Sequence, residues 1–146
     1  MKYRQLIKTL TIGLAVILLS GCFPDNEVIY DGPLQVEFRP TDFTLRMSEA
    51  TYYSANIQLI GPHQNRPLTV NFEIDTENST AVLGEHFEIN GTTTTIPANS
   101  SFASIEITAI EDNIDDSRPV LVITLLDNDD VIAAHHYKTL ELEFRP

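Results

Sequence analysis

The sequence predicts an all-β domain, specifically an antiparallel β-sandwich of about seven or eight strands. From Gln35 onward, apolar residues alternate with polar ones at a period of two, as in strands that bury one face. Clusters of Gly, Pro, Asn, Asp and Ser separate these segments at short intervals. No segment of this region shows a convincing helical period. Many short strands between turns are typical of a sandwich, in which two sheets cover each other.

The predicted strands occupy eight segments, at 35–38, 43–46, 53–59, 70–74, 93–96, 105–108, 120–126 and 140–144. Five of them have one predicted apolar face, whereas 43–46 and 93–96 are short candidates. The segment from Val120 to Leu126 is apolar on both faces and is therefore predicted to be a central strand. This arrangement favours a sandwich of the immunoglobulin-like type over residues 35–146.

The first 21 residues have the order of a secretory signal peptide. Lys2, Arg4 and Lys8 precede an apolar run from Leu10 to Leu19. That run is too short to span a bilayer, which needs about 20 apolar residues. We therefore expect residues 1–21 to be a signal peptide that is removed.

The segment from Leu19 to Cys22 resembles the bacterial lipobox, a signal for cleavage and lipid attachment. Ser20 and Gly21 are small, and the Cys22 thiol can carry a thioether-linked lipid. The resemblance implies that Cys22 is the lipid-anchored first residue of the mature protein, attached to the membrane by more than one acyl chain. Cys22 is also the only cysteine, which excludes an intramolecular disulfide.

Residues 22–34 are predicted to be a flexible tether. Pro, Gly, Asp and Asn are frequent there, so the segment can bury little apolar surface. Phe23 stands where lipoproteins retained in the inner membrane of enteric bacteria have aspartate. This favours the outer membrane within the cell envelope and leaves the face of that membrane open.

The chain is strongly acidic, with a formal net charge of −12 from 21 Asp and Glu against nine Lys and Arg. Removing residues 1–21 takes away three basic residues and no acidic ones, so the mature charge is −15. Such a charge excludes nucleic acid as a partner and argues against docking on anionic lipid.

Three groups of residues form a pattern in the second half of the domain: Thr80, Ala81, Gly84 and Phe87, then Ile96, Pro97 and Ala98, then Glu111, Asp112 and Ile114 to Asp116. Through these groups the segment from Val36 to Phe144 resembles the Calx-beta family. His86 stands where the family usually has aspartate. With the lipobox, the chain is similar to Calx-beta-like lipoproteins of Bacteroidetes and their relatives. The resemblance implies an immunoglobulin-like sandwich and adds no catalytic residue.

The same resemblance implies a candidate calcium site formed by Glu49, Asp112, Asp115 and Asp116. Four carboxylates lie within six residues, from Glu111 to Asp116, and a cation with oxygen ligands would relieve their repulsion. The late aspartate run of the family is absent, because the sequence ends in Leu-Glu-Phe-Arg-Pro. The alternative is a solvated acidic loop without calcium. A second acidic segment, 127–130, lacks the pattern of an EF-hand and is predicted to be a hairpin turn.

No pattern in the sequence supports an enzyme or a zinc site. It contains no Gly-x-Ser-x-Gly motif and no glycine-rich phosphate loop. His135 and His136 are adjacent, so on a strand they would point to opposite faces and could not share one metal. We therefore predict a protein that is not an enzyme.

The leading functional hypothesis is a lipid-anchored, non-enzymatic interaction or structural module whose partner is an envelope protein or a glycan. One alternative is a glycan-binding accessory of an outer-membrane uptake system, for which Tyr52, Tyr53 and Tyr137 would be the stacking aromatics. Another is a calcium-stabilised adhesion-type module.

Overall fold

The computed structural model describes residues 30–146 and contains ten strands. The predicted signal peptide, Cys22 and the tether before Tyr30 lie outside the described residues. The strands are β1 (Gln35–Phe38), β2 (Asp42–Arg46), β3 (Tyr52–Ile60), β4 (Leu68–Ile74), β5 (Phe87–Ile89), β6 (Thr93–Ile96), β7 (Phe102–Ala109), β8 (Val120–Leu126), β9 (Ile132–Ala133) and β10 (Thr139–Arg145). One 3-10 helix, Glu111–Asn113, follows β7. No helix among residues 30–146 is long and apolar enough to cross a membrane.

The strands form two five-stranded sheets that face each other, so the predicted β-sandwich is confirmed. The first sheet has the order β5-β7-β3-β1-β9 and the second has the order β2-β10-β8-β4-β6. After β1 the chain changes sheets, and β2 pairs with β10 in the opposite layer. The peptide bond between Arg39 and Pro40, where this change occurs, is cis. One continuous stretch of chain thus contributes a strand to each sheet.

All eight predicted strands are present, and β8 is the central strand of its sheet, as its apolar faces predicted. The strands β5 and β9 were missed because they are only three and two residues long. Two pairs are parallel, β1 with β9 and β2 with β10, whereas the other pairs of named strands are antiparallel. These parallel pairs join segments far apart in sequence, which a local pattern cannot predict.

The core consists of the inward-facing residues of both sheets. Phe38 of β1, Phe87 of β5 and Phe144 of β10 are fully buried, and the rings of Phe87 and Phe144 stack with centroids 6.2 Å apart. Leu and Ile side chains from β3, β4, β7 and β8 complete this layer. The alternation in the sequence therefore identified the buried face of each long strand.

The sequence Glu-Phe-Arg-Pro occurs twice, at 37–40 and at 143–146, and both copies pack in the same way. The phenylalanine of each copy enters the core. In each copy the glutamate forms an ion pair with the arginine two residues later. Both of these side chains lie on the side of the strand opposite the phenylalanine. Glu37 is buried in this arrangement, with an exposed fraction of 2%.

The amino-terminal segment and the acidic turn lie at opposite ends of the sandwich. Residues 30–34 contact the end that contains the β3–β4 loop, where Leu34 and Tyr30 pack on Gly61. A Cβ at Gly61 would meet Leu34 Cδ2 at 2.8 Å, and its φ of +135° also favours glycine. The other end, which we call the acidic end, consists of the connections 47–51, 75–86 and 110–119.

We predict that replacing Phe144 by alanine lowers the free energy of unfolding by about 3–5 kcal/mol, the usual result of truncating a fully buried phenylalanine. The loss arises because the inner faces no longer fill the space beside Phe87. Urea unfolding, monitored by tyrosine fluorescence, measures this loss of stability. Phe102→Ala is the matched control, because Phe102 is exposed, and should change stability by less than about 0.5 kcal/mol. Equal losses in the two variants would contradict this core.

Candidate functional site

The acidic turn after β7 is a folded structure held by its own backbone. The 3-10 helix is closed by the N–H groups of Asn113 and Ile114, which donate to the carbonyls of Ile110 and Glu111 at 3.0 Å. Ile114 is buried and attaches the turn to the core. The Asn113 side-chain amide donates to the Glu85 carbonyl at 2.6 Å. The turn is therefore fixed against the connection 75–86.

Asp115 uses its carboxylate to close the next turn. Asp115 Oδ1 accepts the Ser117 N–H at 2.8 Å, and the Arg118 N–H donates to the Asp115 carbonyl at 3.2 Å. Hydrogen bonds from the Ser117 side chain and backbone, with a smaller effect of His86, hold the Asp115 pKa below its usual value. An ionised Asp115 therefore has a local structural role.

Glu49 lies in the connection between β2 and β3, which belongs to the same end. Its N–H donates to the Arg46 carbonyl at 2.9 Å. Its carboxylate lies 3.9 Å from the Arg46 guanidinium, and both side chains are largely exposed. An exposed pair of this kind contributes little to stability.

The structure brings Glu49, Asp112, Asp115 and Asp116 to one end but does not gather them around a point. In the part of the chain described here, no three His, Cys, Asp or Glu side chains are placed so that they could hold one metal ion. The residues present therefore do not form a ready-made calcium site. Calcium binding by these four residues would need their side chains to rearrange, and it stays a prediction.

The second acidic segment, 127–130, joins β8 in one sheet to β9 in the other, so the predicted hairpin turn was wrong. Its side chains bind the protein itself. Asp130 accepts the Thr69 N–H at 3.0 Å and the Arg66 guanidinium at 2.7 Å. Asp127 and Asn128 accept backbone N–H groups of residues 130–133. Bonding to the Thr69 N–H, and then to Arg66, lowers the Asp130 pKa.

His135 and His136 lie in a turn between β9 and β10, so the argument from opposite faces of a strand does not apply to them. Their rings stack with centroids 4.8 Å apart, and both residues are exposed. The segment leaves the strand after Ala133 because the Tyr137 N–H closes a turn on the Ala134 carbonyl at 2.9 Å.

The three tyrosines proposed for stacking on sugars do not share one face. Tyr52 and Tyr53 are neighbours on β3, and their side chains point to opposite sides. The Tyr53 ring is stacked on Phe43 at 4.4 Å between centroids, so Phe43 covers one of its faces. Tyr137 is exposed in the turn before β10. Sequence reasoning therefore proposed aromatic residues that the fold separates.

A shallow groove of about 400 Å³ lies where β6 of one sheet approaches β7 of the other. The Thr94 hydroxyl donates to the Ser104 carbonyl at 2.8 Å and joins the two strands there. The lining side chains are neutral, and they belong to Ser54, Asn56, Thr94, Thr95, Pro97, Phe102, Ala103 and Ser104. The groove was not predicted from the sequence, because it lies between sheets.

No family model matches the sequence, and no curated protein does either. Solved structures match by fold. The apo-form Calx CBD1 domain superimposes with a TM-score of 0.64 at 16% identity, over 78% of this chain and 97% of that one. A CBD12 fragment of Calx, whose name describes a calcium-binding domain, gives a TM-score of 0.61 at 15% identity, over 77% of this chain and 43% of that one.

A candidate carbohydrate-binding protein from Bacteroides ovatus also has this fold, with a TM-score of 0.55 at 11% identity. The match covers 76% of this chain and 36% of the Bacteroides protein, so this chain corresponds to about a third of that structure. At these identities the comparisons show a Calx-beta-like sandwich, as the sequence predicted, and they do not show the function.

The predicted calcium site can be tested by thermal stability. A ligand at 100 times its dissociation constant would add about 2.7 kcal/mol, which would raise the melting midpoint by several degrees. If the four carboxylates bind calcium, thermal melts should show such a rise in millimolar calcium compared with chelator. Asp112→Asn and Asp115→Asn should abolish the rise, and an unchanged midpoint would leave the acidic turn as a solvated loop.

We predict that Asp130 stabilises the protein at pH 6 and stops doing so in acid. The folded-state pKa of Asp130 is below its ordinary value of 3.8, so the folded state binds fewer protons than the unfolded state. Its contribution is complete above pH 3.8 and is lost as the pH falls through the lower folded-state pKa. Urea unfolding of the wild-type protein and Asp130→Asn should therefore differ at pH 6 and converge in strong acid. A difference that persists undiminished at pH 2 would contradict this role.

Proposed function

We propose that this protein is a lipid-anchored, non-enzymatic recognition module of the bacterial cell envelope, placed on the outer membrane. One observation supports it most directly. The amino-terminal segment meets the sandwich at the end opposite the acidic end. A lipid on Cys22 would then hold the domain with its acidic end directed away from the bilayer.

The length of chain before the domain suits this arrangement. Seven residues lie between Cys22 and Tyr30, and the eight Cα–Cα steps of an extended chain over this distance reach at most about 28 Å. This distance is enough to hold the domain clear of the headgroups while keeping it near the membrane.

The charge distribution supports the same orientation. The connections of the acidic end contain eight Asp and Glu and one Arg. An anionic lipid surface repels negative charge. The domain would therefore turn its acidic end outward, where its loops would meet a partner in the envelope.

The carboxyl groups with shifted pKa values do not fit the role of a general acid. Within residues 30–146, Asp75, Asp115, Asp130 and Glu143 have pKa values below their usual range. Hydrogen bonds within turns and across strands cause these shifts. A general acid needs the opposite shift, which burial would provide. These carboxylates are therefore structural acceptors.

Two other functions remain alternatives. A calcium-stabilised adhesion-type module would share the anchor. It is supported by the shared fold and by the name of one Calx structure, which describes a calcium-binding domain. A glycan-binding accessory of an outer-membrane uptake system is favoured by a specific observation, the neutral groove between β6 and β7.

We predict that Cys22→Ser abolishes lipid attachment. The full-length protein, expressed in a diderm bacterium with an alkyne-bearing fatty acid, should become labelled and partition into detergent. Cys22→Ser removes the thiol that carries the lipid, so the label should disappear.

Ser20→Ala is the matched control, because alanine keeps a small residue before the cysteine, and it should be labelled like the wild-type protein. Labelling that persists in Cys22→Ser, or an unlabelled wild-type protein, would overturn the anchor and with it the proposed function.

A further inference from the structure

We infer that the groove between β6 and β7 binds a short segment of an uncharged oligosaccharide, with Phe102 as the surface on which one sugar ring stacks. This inference rests on the proposed recognition function and assigns a ligand class and a site to it. Strands of both sheets form the groove. It is separate from the acidic end and from Tyr52, Tyr53 and Tyr137.

The size of the groove suits a small ligand. Its volume of about 400 Å³ lies within the range of about 300–1,000 Å³ usual for small-molecule sites. The groove is shallow and lies on the side of the domain. This shape suits a few rings of a longer chain that passes across the surface.

The polar lining matches the hydrogen bonding of sugar hydroxyls. Asn56 faces Ser104 across β3 and β7, and Thr95 belongs to the opposite wall. The side chains of Asn56 and Thr95 make no hydrogen bond to another group in the described part of the chain. An amide and hydroxyl groups both donate and accept, as sugar hydroxyls do.

Phe102 supplies the apolar part of the site. Its exposed fraction is 55%, although it is the first residue of a long, well-paired strand. The C–H-rich face of a pyranose ring packs on such a flat aromatic surface. The strand backbone fixes the position of Phe102, so stacking would need little reorganisation.

Charge selects a neutral ligand. No charged side chain lines the groove. Glu106 adjoins the groove, and its carboxylate accepts the hydroxyls of two lining residues, Ser54 and Ser104, at 2.6 and 2.8 Å. The net charge of the chain is −12, so an acidic glycan would be repelled. The lining offers no carboxylate for a cationic ligand.

The test titrates the full-length protein in detergent with malto-, cello-, manno- and xylohexaose as neutral probes and with oligogalacturonate as the acidic probe. Isothermal titration calorimetry measures binding. We expect at least one neutral hexasaccharide to bind and the acidic probe not to bind. Phe102→Leu keeps an apolar side chain but removes the flat ring, and it should weaken binding by about tenfold, as expected when an aromatic anchor is lost. Asn56→Ala should also weaken it.

One control variant makes the result specific. Tyr137→Ala removes a similarly exposed aromatic outside the groove and should have no effect. Thermal melts should show that all variants are folded.

Two results would overturn the inference. If none of the neutral hexasaccharides binds while Cys22 is lipidated, the groove is not a glycan site and the anchored module still stands. If a hexasaccharide binds equally well to Phe102→Leu and Asn56→Ala, glycans are recognised elsewhere on the domain. Loss of lipid labelling at Cys22 is a separate failure, because sugar binding by the groove does not depend on it.

Discussion

The structure depends on burying the apolar faces of two sheets against each other. Cys22 is the only cysteine, so no intramolecular disulfide supports the fold. Phe38, Phe87 and Phe144 contribute large, fully buried side chains to the core. The passage of the chain from β1 to β2 attaches one short segment to both sheets. The two sheets are therefore joined by packing and by this short segment.

The same burial determines where the charges go. Ionised carboxylates are costly to bury without partners, so they collect in the connections at the ends of the sandwich. There backbone N–H groups bind two of them, as Ser117 in a tight turn binds Asp115 and Thr69 of β4 binds Asp130. Such hydrogen bonds favour the ionised state, which explains the lowered pKa values of Asp115 and Asp130. These two carboxylates therefore stabilise the connections in which they lie.

The groove follows from the unequal lengths of neighbouring strands. The short strand β5 pairs only with residues 107–109 of β7. The first half of β7 is therefore left beside β6, the edge strand of the other sheet. Most outward residues of β3 and β7 are polar because they face water, and beside β6 the outward residues Ser54, Asn56 and Ser104 line a neutral recess together with the apolar Phe102. A sheet edge that is covered in this way also presents fewer free backbone groups for aggregation.

The sequence by itself determined the class of the domain, the long strands and the central position of β8. These properties are local, because side chains in a strand alternate between its faces whatever the rest of the chain does. It also identified the acidic turn, and it supplied the untested predictions of a signal peptide and a lipid on Cys22.

Only the tertiary structure decided which residues meet. Three features involve segments that are distant in sequence. They are the parallel pairs β1–β9 and β2–β10, the separation of Tyr52, Tyr53 and Tyr137, and the placement of Glu49 near the acidic turn without a shared metal position. The role of Phe102 was hidden as well, because the predicted strand 105–108 did not include it and a local pattern does not show what lies beside a residue. A periodic pattern records the face on which a residue lies, whereas a binding site depends on the packing of sheets, which that pattern does not contain.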